Sequence, residues 1–507
     1  MKILSSKRSN CILLFYCFTI ATLFLSVCSK SSFRFPMNDW VDVHCFFTVG
    51  RSIWDGLVPY RDLYEQKGPV LYFLYAIAAL FSSDSFWGVF LLEIICFGLF
   101  LYYSAKIAAL YLGDGPASYA IAAVLAAVIP VSPAFAHGSG AEEFCLFMLS
   151  YSMYSVLLAL HEDRALSFRE AFLNGIFAAA VLYVKFTILG FYIGLALFVF
   201  VWYIAKAFSP IVLLKTIGQF LLGIAALSIP VWGYFLLNGA ADDLYTVYFY
   251  NNLVLYPNEV EGSRWDLIKN CLKTTITNNR SYGWMIYMSL LFMVAHIRER
   301  WLDLAMGLLS FVGLAIGTYW GGRGYTYYGL IIAPFAVFGL VGLVQLSRVI
   351  PLRKWLQALP FGASLIQATA LFVVVTMLFS YTYRNSRNAY LMAYEKEDLP
   401  AYQFAEIIKT VENPKILNYG FLDGGFYYAA DVEPTCKFFC TLNINAPDMW
   451  AMQRECIENG EVDFVITRHY TLNRYSPRAD AYELVDQATF WFEGVDFTYY
   501  LYQKTTN

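Results

Sequence analysis

Apolar runs long enough to cross a bilayer recur from the amino terminus to Tyr381, and they leave this chain few architectures. A helix needs ~20 predominantly apolar residues to cross the hydrocarbon core, and Cys11–Ser29 is the first such run. Asp, Glu, Lys and Arg make up only 14% of the 507 residues, while 59% are hydrophobic. Soluble domains carry about 25% of these charged types, so a single soluble core is excluded. The net charge of −3 is too small to make nucleic acid or an anionic membrane surface the main partner.

Further spans are expected at Phe86–Leu110, Ala117–Pro133, Phe144–Leu160, Leu173–Thr187, Gly190–Ala207 and Leu213–Leu237. Trp284–His296, Leu302–Tyr319, Leu330–Leu346 and Phe361–Tyr381 follow, which makes about eleven with the first. Pro69–Phe81 is apolar but short, as suits a helix at the interface. The first span follows Lys2, Lys7 and Arg8 and has no small-x-small cleavage pattern, so a retained helix is expected rather than a signal peptide.

Cytoplasmic loops carry an excess of Lys and Arg. Alternating the spans puts Lys2, Lys7, Arg8, Lys106, Arg164, Arg169, Lys206, Lys215, Arg298, Arg300, Arg348, Arg353 and Lys354 on that side. The outer side receives the loop after the first span, the His137–Glu143 and Asp242–Arg280 loops, Arg323 and the tail. The amino terminus is therefore expected in the cytoplasm and the tail outside it.

Composition turns soluble near Arg384. Pro400–Glu412 places Phe404, Ile407, Ile408 and Val411 on one helical face. Lys415–Phe421, Val462–Thr467 and Phe497–Gln503 read as strands, and Pro447–Asn459 as a second helix. The expected fold is mainly α: a polytopic transmembrane bundle over residues 1–383, then a small extracytoplasmic α/β domain over 384–507. Of the ten cysteines, Cys11, Cys17, Cys28, Cys96 and Cys145 lie in apolar runs and read as small packing residues. Cys436, Cys440 and Cys456 fall in the tail, where one disulfide can form and spacing leaves its pairing open.

The polar residues concentrate in the first outer loop, residues 30–85. Asp39, Asp42, Asp55, Asp62, Glu65, Arg51, Arg61 and Lys67 stand there among aromatics and glycines. A passive connector beside a bilayer has no need of so many charges. On a short helix over Asp42–Trp54, Asp42, Phe46 and Val49 share a face. Asp42 there can take a proton as general base or bind a metal, with Asp39 the neighbouring alternative. Helix capping explains either acid equally well.

Lys67 precedes Gly68-Pro69 and an apolar run. Glycine lets backbone approach a ligand, proline starts a helix, and the lysine is a point charge for phosphate. Snorkelling is the ordinary alternative. In Ala136–Phe144, Glu142 and Glu143 open a span. Desolvating two acids is costly unless a metal or sugar hydroxyls offset it, or the helix dipole does. Arg323 among glycines and tyrosines suits phosphate or saccharide, or an interfacial belt. Lys185, inside an apolar segment, either faces a cavity or snorkels outward. His44 and His137 are outer-side histidines that do not by themselves define a metal site.

Asp42, Phe46, Gly56, Pro59-Tyr60 and Lys67-Gly68-Pro69, with the Gly-x-Gly-x-Glu-Glu loop, resemble the GT-C class of membrane glycosyltransferases. The branch most similar is the bacterial one related to family 39 protein mannosyltransferases and lipid A aminoarabinose transferase. The resemblance covers residues 1–383, and this chain carries Gln66 and Gly68 where relatives often have Glu and Pro. It implies a hexosyl- or pentosyltransferase that moves a sugar from a polyprenyl-phosphate carrier, with inversion, to an acceptor outside the cytoplasm. Asp42, or Asp39, would deprotonate the acceptor. Lys67 and Arg323 would hold the carrier phosphate. Glu142, Glu143, Tyr60, Glu65 and His44 would line the acceptor or sugar pocket, and a divalent ion could sit on Asp42 and Glu143. The partners implied are the lipid-linked donor, membrane lipid and a cell-envelope acceptor, with no nucleic acid. Two rivals share the sequence: a multi-pass transporter, which would carry midplane charges, and a non-catalytic assembly protein for envelope polymer.

Overall fold

Long apolar sequence between short polar turns leaves the backbone in lipid no hydrogen-bond partner but itself, and helix satisfies it locally. A computed structural model describes residues 7–255, 260–347, 363–446, 448–474, 478–492 and 494–505. The expected cytoplasmic cations Lys2, Arg348, Arg353 and Lys354, and the start of the Phe361–Tyr381 span, lie outside these described residues. So does Pro447, the first residue of the expected second tail helix.

The chain divides into two compact units. The first comprises Met1–Ser29, Leu91–Pro230 and Val260–Ala389. The second comprises Lys30–Phe90, Val231–Glu259 and Tyr390–Asn507, so the first outer loop groups with the tail. The expected composition change at residues 383 and 384 falls close to the Ala389/Tyr390 junction.

In chain order the helices begin with α1 (Lys7–Leu25), α2 (Val41–Ser52), α3 (Pro69–Phe81), α4 (Trp87–Leu112) and α5 (Pro116–Val128). There follow α6 (Ala141–His161), α7 (Phe168–Lys185), α8 (Gly190–Ala205) and α9 (Pro210–Leu237). Later helices include Arg264–Asn278, Arg280–His296, Trp301–Tyr319, Ala336–Ser347 and Ala363–Asn385. Among the described residues, seven stretches are long and apolar enough to cross a membrane. Phe168–Ala205 is one stretch of 38 residues that contains two of the expected spans. Pro116–Val128, at 13 residues, and Arg280–His296, at 17, are shorter than a full crossing. The expected Phe361–Tyr381 span begins outside the described residues. Pro69–Phe81, at 13 residues, is short, as expected of an interface helix. The chain is a membrane protein.

At Lys185 the backbone turns extended (φ −156°, ψ 95°), which ends α7 before a 3-10 turn, Phe186–Leu189, leads into α8. Helix α8 then packs closely on Trp301–Tyr319, where a Cβ added at Gly190 would meet the Gly313 carbonyl oxygen at 2.1 Å. Small residues permit such approach of helices in lipid.

In the second unit a Cβ at Gly50 would come within 2.6 Å of Tyr75 Cβ, so α2 and α3 pack backbone to backbone. The sheet holds β1 (Ile416–Tyr419), β2 (Phe464–Arg468), β3 (Tyr482–Phe492) and β4 (Val495–Lys504) in the order β1-β2-β4-β3. β1 and β2 are parallel; β4 runs antiparallel to both of its neighbours. Helices Pro400–Ile408, Phe426–Ala430 and Met449–Glu458 accompany the sheet. β3 was not among the expected strands. Its acids and its irregular register at Leu484/Asp486 obscure the two-residue alternation that marks a half-buried strand.

The tail domain holds α2 through polar groups. Arg51 pairs with Asp431 at 3.0 Å and with Glu433 at 2.7 Å. Thr48 donates to Asp423 at 2.6 Å, and burial pushes the Asp423 carboxyl up to about 6. His44 is fully buried against Phe86 and Tyr428, and its Nε2 lies 2.8 Å from where a Gly425 Cβ would stand. Desolvation there lowers its pKa to about 3, so the ring is a neutral packing group at ordinary pH.

Candidate active site

The loop residues form a chain of contacts running from α2 to the start of α3. Asp42 occupies the first turn of α2 and is half-buried. Its N-cap position belongs to Trp40, not to Asp39 or Asp42. Phe46 follows one turn later, fully buried, and the Lys67 ammonium sits 5.4 Å from its ring centroid. The acid and the aromatic four residues on therefore share a helix face with the lysine over the aromatic.

The backbone of Lys67 is held from both sides. Its N–H donates to Glu65 at 2.8 Å, and its carbonyl accepts the Tyr60 hydroxyl at 2.6 Å. Tyr72 donates to the same Glu65 carboxylate. Burial raises the Tyr60 pKa well above its usual value, which keeps the phenol a neutral donor. Just before Lys67, Gln66 donates to Asn443 at 3.2 Å and its carbonyl accepts Asn252 at 2.7 Å. Gly68 is the N-cap of α3 and Pro69 its first residue. A lysine so placed is a point charge at a helix start, which suits an anion.

Asp39 is occupied differently. It pairs with Lys30 at 2.5 Å, with both side chains nearly sealed from solvent. Burial holds its carboxyl above the usual range while the Lys30 charge pulls it back. This is the geometry of a structural ion pair.

In the first unit, Gly140 is the N-cap of α6, and Glu142 and Glu143 lie in its first turn, both buried. Glu142 pairs with Lys185. The Lys185 ammonium stands 3.5 Å from the Tyr328 ring centroid, so it neither snorkels nor faces an open cavity. Glu143 shares the Ser139 N–H with Glu93, at 2.8 Å and 2.7 Å, and Glu93 also accepts the Ser29 hydroxyl. Arg323 is half-buried beside Tyr325, whose hydroxyl lies 3.5 Å from Nη1. His137 is buried in the segment just before α6.

Asp42 and Glu143 belong to different units. Among the described residues no group of three or more His, Cys, Asp or Glu is placed to hold a metal ion. No metal step is assigned.

No family model matches the chain, and no curated protein matches it in sequence. Solved structures do match. ArnT from Cupriavidus metallidurans bound to undecaprenyl phosphate superposes with a TM-score of 0.61 and 13% identity, over 98% of each chain. Its apo structure gives the same values. Archaeal oligosaccharyltransferase AglB from Archaeoglobus fulgidus, in complex with an inhibitory peptide and a dolichol-phosphate, gives 0.53 and 13%, over 97% of this chain and 74% of that one.

The chain has the GT-C fold. The likeness runs through the tail as well as the spans, whereas the sequence resemblance reached only residue 383.

Within this GT-C fold, sequence reasoning passed over several polar residues. Glu93 lies inside an apolar span, in its second turn, and a lone carboxylate there was itself the signal. Arg51 stood out only as one of the loop charges, and Thr48 and Asp423 were individually unremarkable letters. Their pairing across more than 370 positions follows from tertiary contact alone.

Proposed function

We propose that this protein is a membrane glycosyltransferase that moves a sugar from a polyprenyl-phosphate carrier to an acceptor outside the cytoplasm, in the cell envelope. The observation that carries this reading is the Asp42–Phe46 face of α2 with Lys67 over the Phe46 ring, within a GT-C fold. An acceptor hydroxyl attacks the anomeric carbon with inversion, and Asp42 takes its proton. The bond from that carbon to the phosphate oxygen breaks, and its electron pair leaves with the carrier phosphate. Lys67 offsets the charge that builds on the departing phosphate. Glu65 and Tyr60 act at one remove, by fixing the backbone that presents Lys67.

Purified protein given a labelled polyprenyl-phosphate sugar and envelope extract should release polyprenyl phosphate and label an envelope component. No release would favour a transporter or a non-catalytic assembly protein. In the same assay Lys67→Met should weaken donor binding about ten- to a hundredfold, the equivalent of roughly 1.5–3 kcal/mol for a lost charge-assisted bond. Unchanged donor affinity in that variant would move the phosphate site, with Arg323 next in line.

The reaction side is also open to measurement. Cysteines engineered at Lys2 and Asn507, compared with the unaltered chain in intact cells, should report an inaccessible amino terminus and an accessible tail. Labelling at residue 2 but not at residue 507 would reverse the sidedness.

A further inference from the structure

We infer that Cys436 and Cys456 form a disulfide in the mature protein, and that the loop it closes braces the segment leading into Lys67. Their sulfurs are 2.7 Å apart, twenty positions apart in sequence, at the edge of the core built by Leu417, Ile457, Val462 and Val465. Spacing left three tail cysteines to choose from, and the fold chooses this pair. Cys456 is half-exposed, so an exchanging disulfide can reach it. Cys45 and Cys440, 3.7 Å apart, are the contrast. Both are buried with thiols pushed up by desolvation, so that pair stays reduced.

The loop between residues 436 and 456 carries the contacts that hold the donor-side segment. The Lys437 carbonyl accepts the Tyr64 N–H at 2.8 Å, Phe438 packs on Tyr64 at 4.7 Å between centroids, and Asn443 accepts from Gln66. Cross-linking the ends of that loop restricts the conformations it can adopt when its contacts open. In the forming step each thiol gives up one hydrogen, the sulfur–sulfur bond forms, and the disulfide of an envelope thiol oxidoreductase is reduced to two thiols. This rests on the proposed outside location of the tail, since disulfides persist in oxidising compartments.

The test is to block thiols during lysis of cells expressing the full chain, digest without reductant, and map the peptides. A linked pair containing Cys436 and Cys456, lost on reduction, is expected, with Cys45 and Cys440 recovered as blocked thiols after denaturation. Recovery of blocked Cys436 and Cys456 overturns the disulfide. Oxidised glutathione added to unblocked purified protein then identifies the error: linkage would fault the sidedness, and no linkage would fault the pairing. For the brace, reduction or Cys456→Ser should speed amide exchange at Tyr64 several-fold in otherwise folded protein. Unchanged exchange at Tyr64 in both overturns that part.

Discussion

Asp42→Asn should give a folded, membrane-inserted protein whose turnover is lower by roughly a hundredfold or more, the scale of a lost general base. Asparagine keeps the size and much of the hydrogen bonding of aspartate but neither its charge nor its basicity. As helix caps the two residues rank together, so a capping role would leave turnover nearly unchanged. The N-cap of α2 is Trp40, which already separates Asp42 from that position. Asp39→Asn is the informative companion. It leaves the buried Lys30 ammonium without its carboxylate, so its expected signature is a lower unfolding midpoint rather than a selective loss of turnover. Normal turnover in Asp42→Asn, with collapse in a still-folded Asp39→Asn, would make Asp39 the catalytic acid of the two.

Lys185→Met should destabilise the membrane unit by about 3–5 kcal/mol, the usual result of stranding one partner of a buried ion pair. Only 4% of the Glu142 side chain and 7% of that of Lys185 is exposed, so neither has water to fall back on. The same change removes the ammonium from the Tyr328 face at the break between α7 and α8. Combining it with Glu142→Gln should recover much of the loss, because no uncompensated charge then remains. Thermal unfolding of the four proteins in one detergent, read as a double-mutant cycle, measures that coupling. A Lys185→Met protein with an unchanged midpoint but no transfer would instead place Lys185 among the groups that touch substrate.

The apolar runs by themselves determined that this chain is a polytopic helical membrane protein with a small mixed tail, because lipid offers the backbone no partner and run length measures the bilayer. The same local logic located α3 to the residue, through Pro69 at its start and the end of its apolar run at Phe81. The loop motif also singled out Asp42, Phe46 and Lys67. Asp42 and Phe46 group through one helical turn, which is local, and Lys67 joins them through the packing of α3 on α2.

Tertiary structure decided which charges are already occupied. Asp39 and Asp42 are nearly equivalent as letters, yet a buried Lys30 holds one of them. Glu142 and Glu143 are adjacent, but successive positions on a helix point about 100° apart, so one meets Lys185 and the other meets Glu93. Likewise His44 is packed among Phe86, Tyr428 and Gly425, and Cys436 found Cys456 rather than Cys440. Each of these outcomes is a contact between residues far apart in the chain. A buried charge or thiol takes its chemistry from whichever partner the fold brings to it, and no local spacing records that partner.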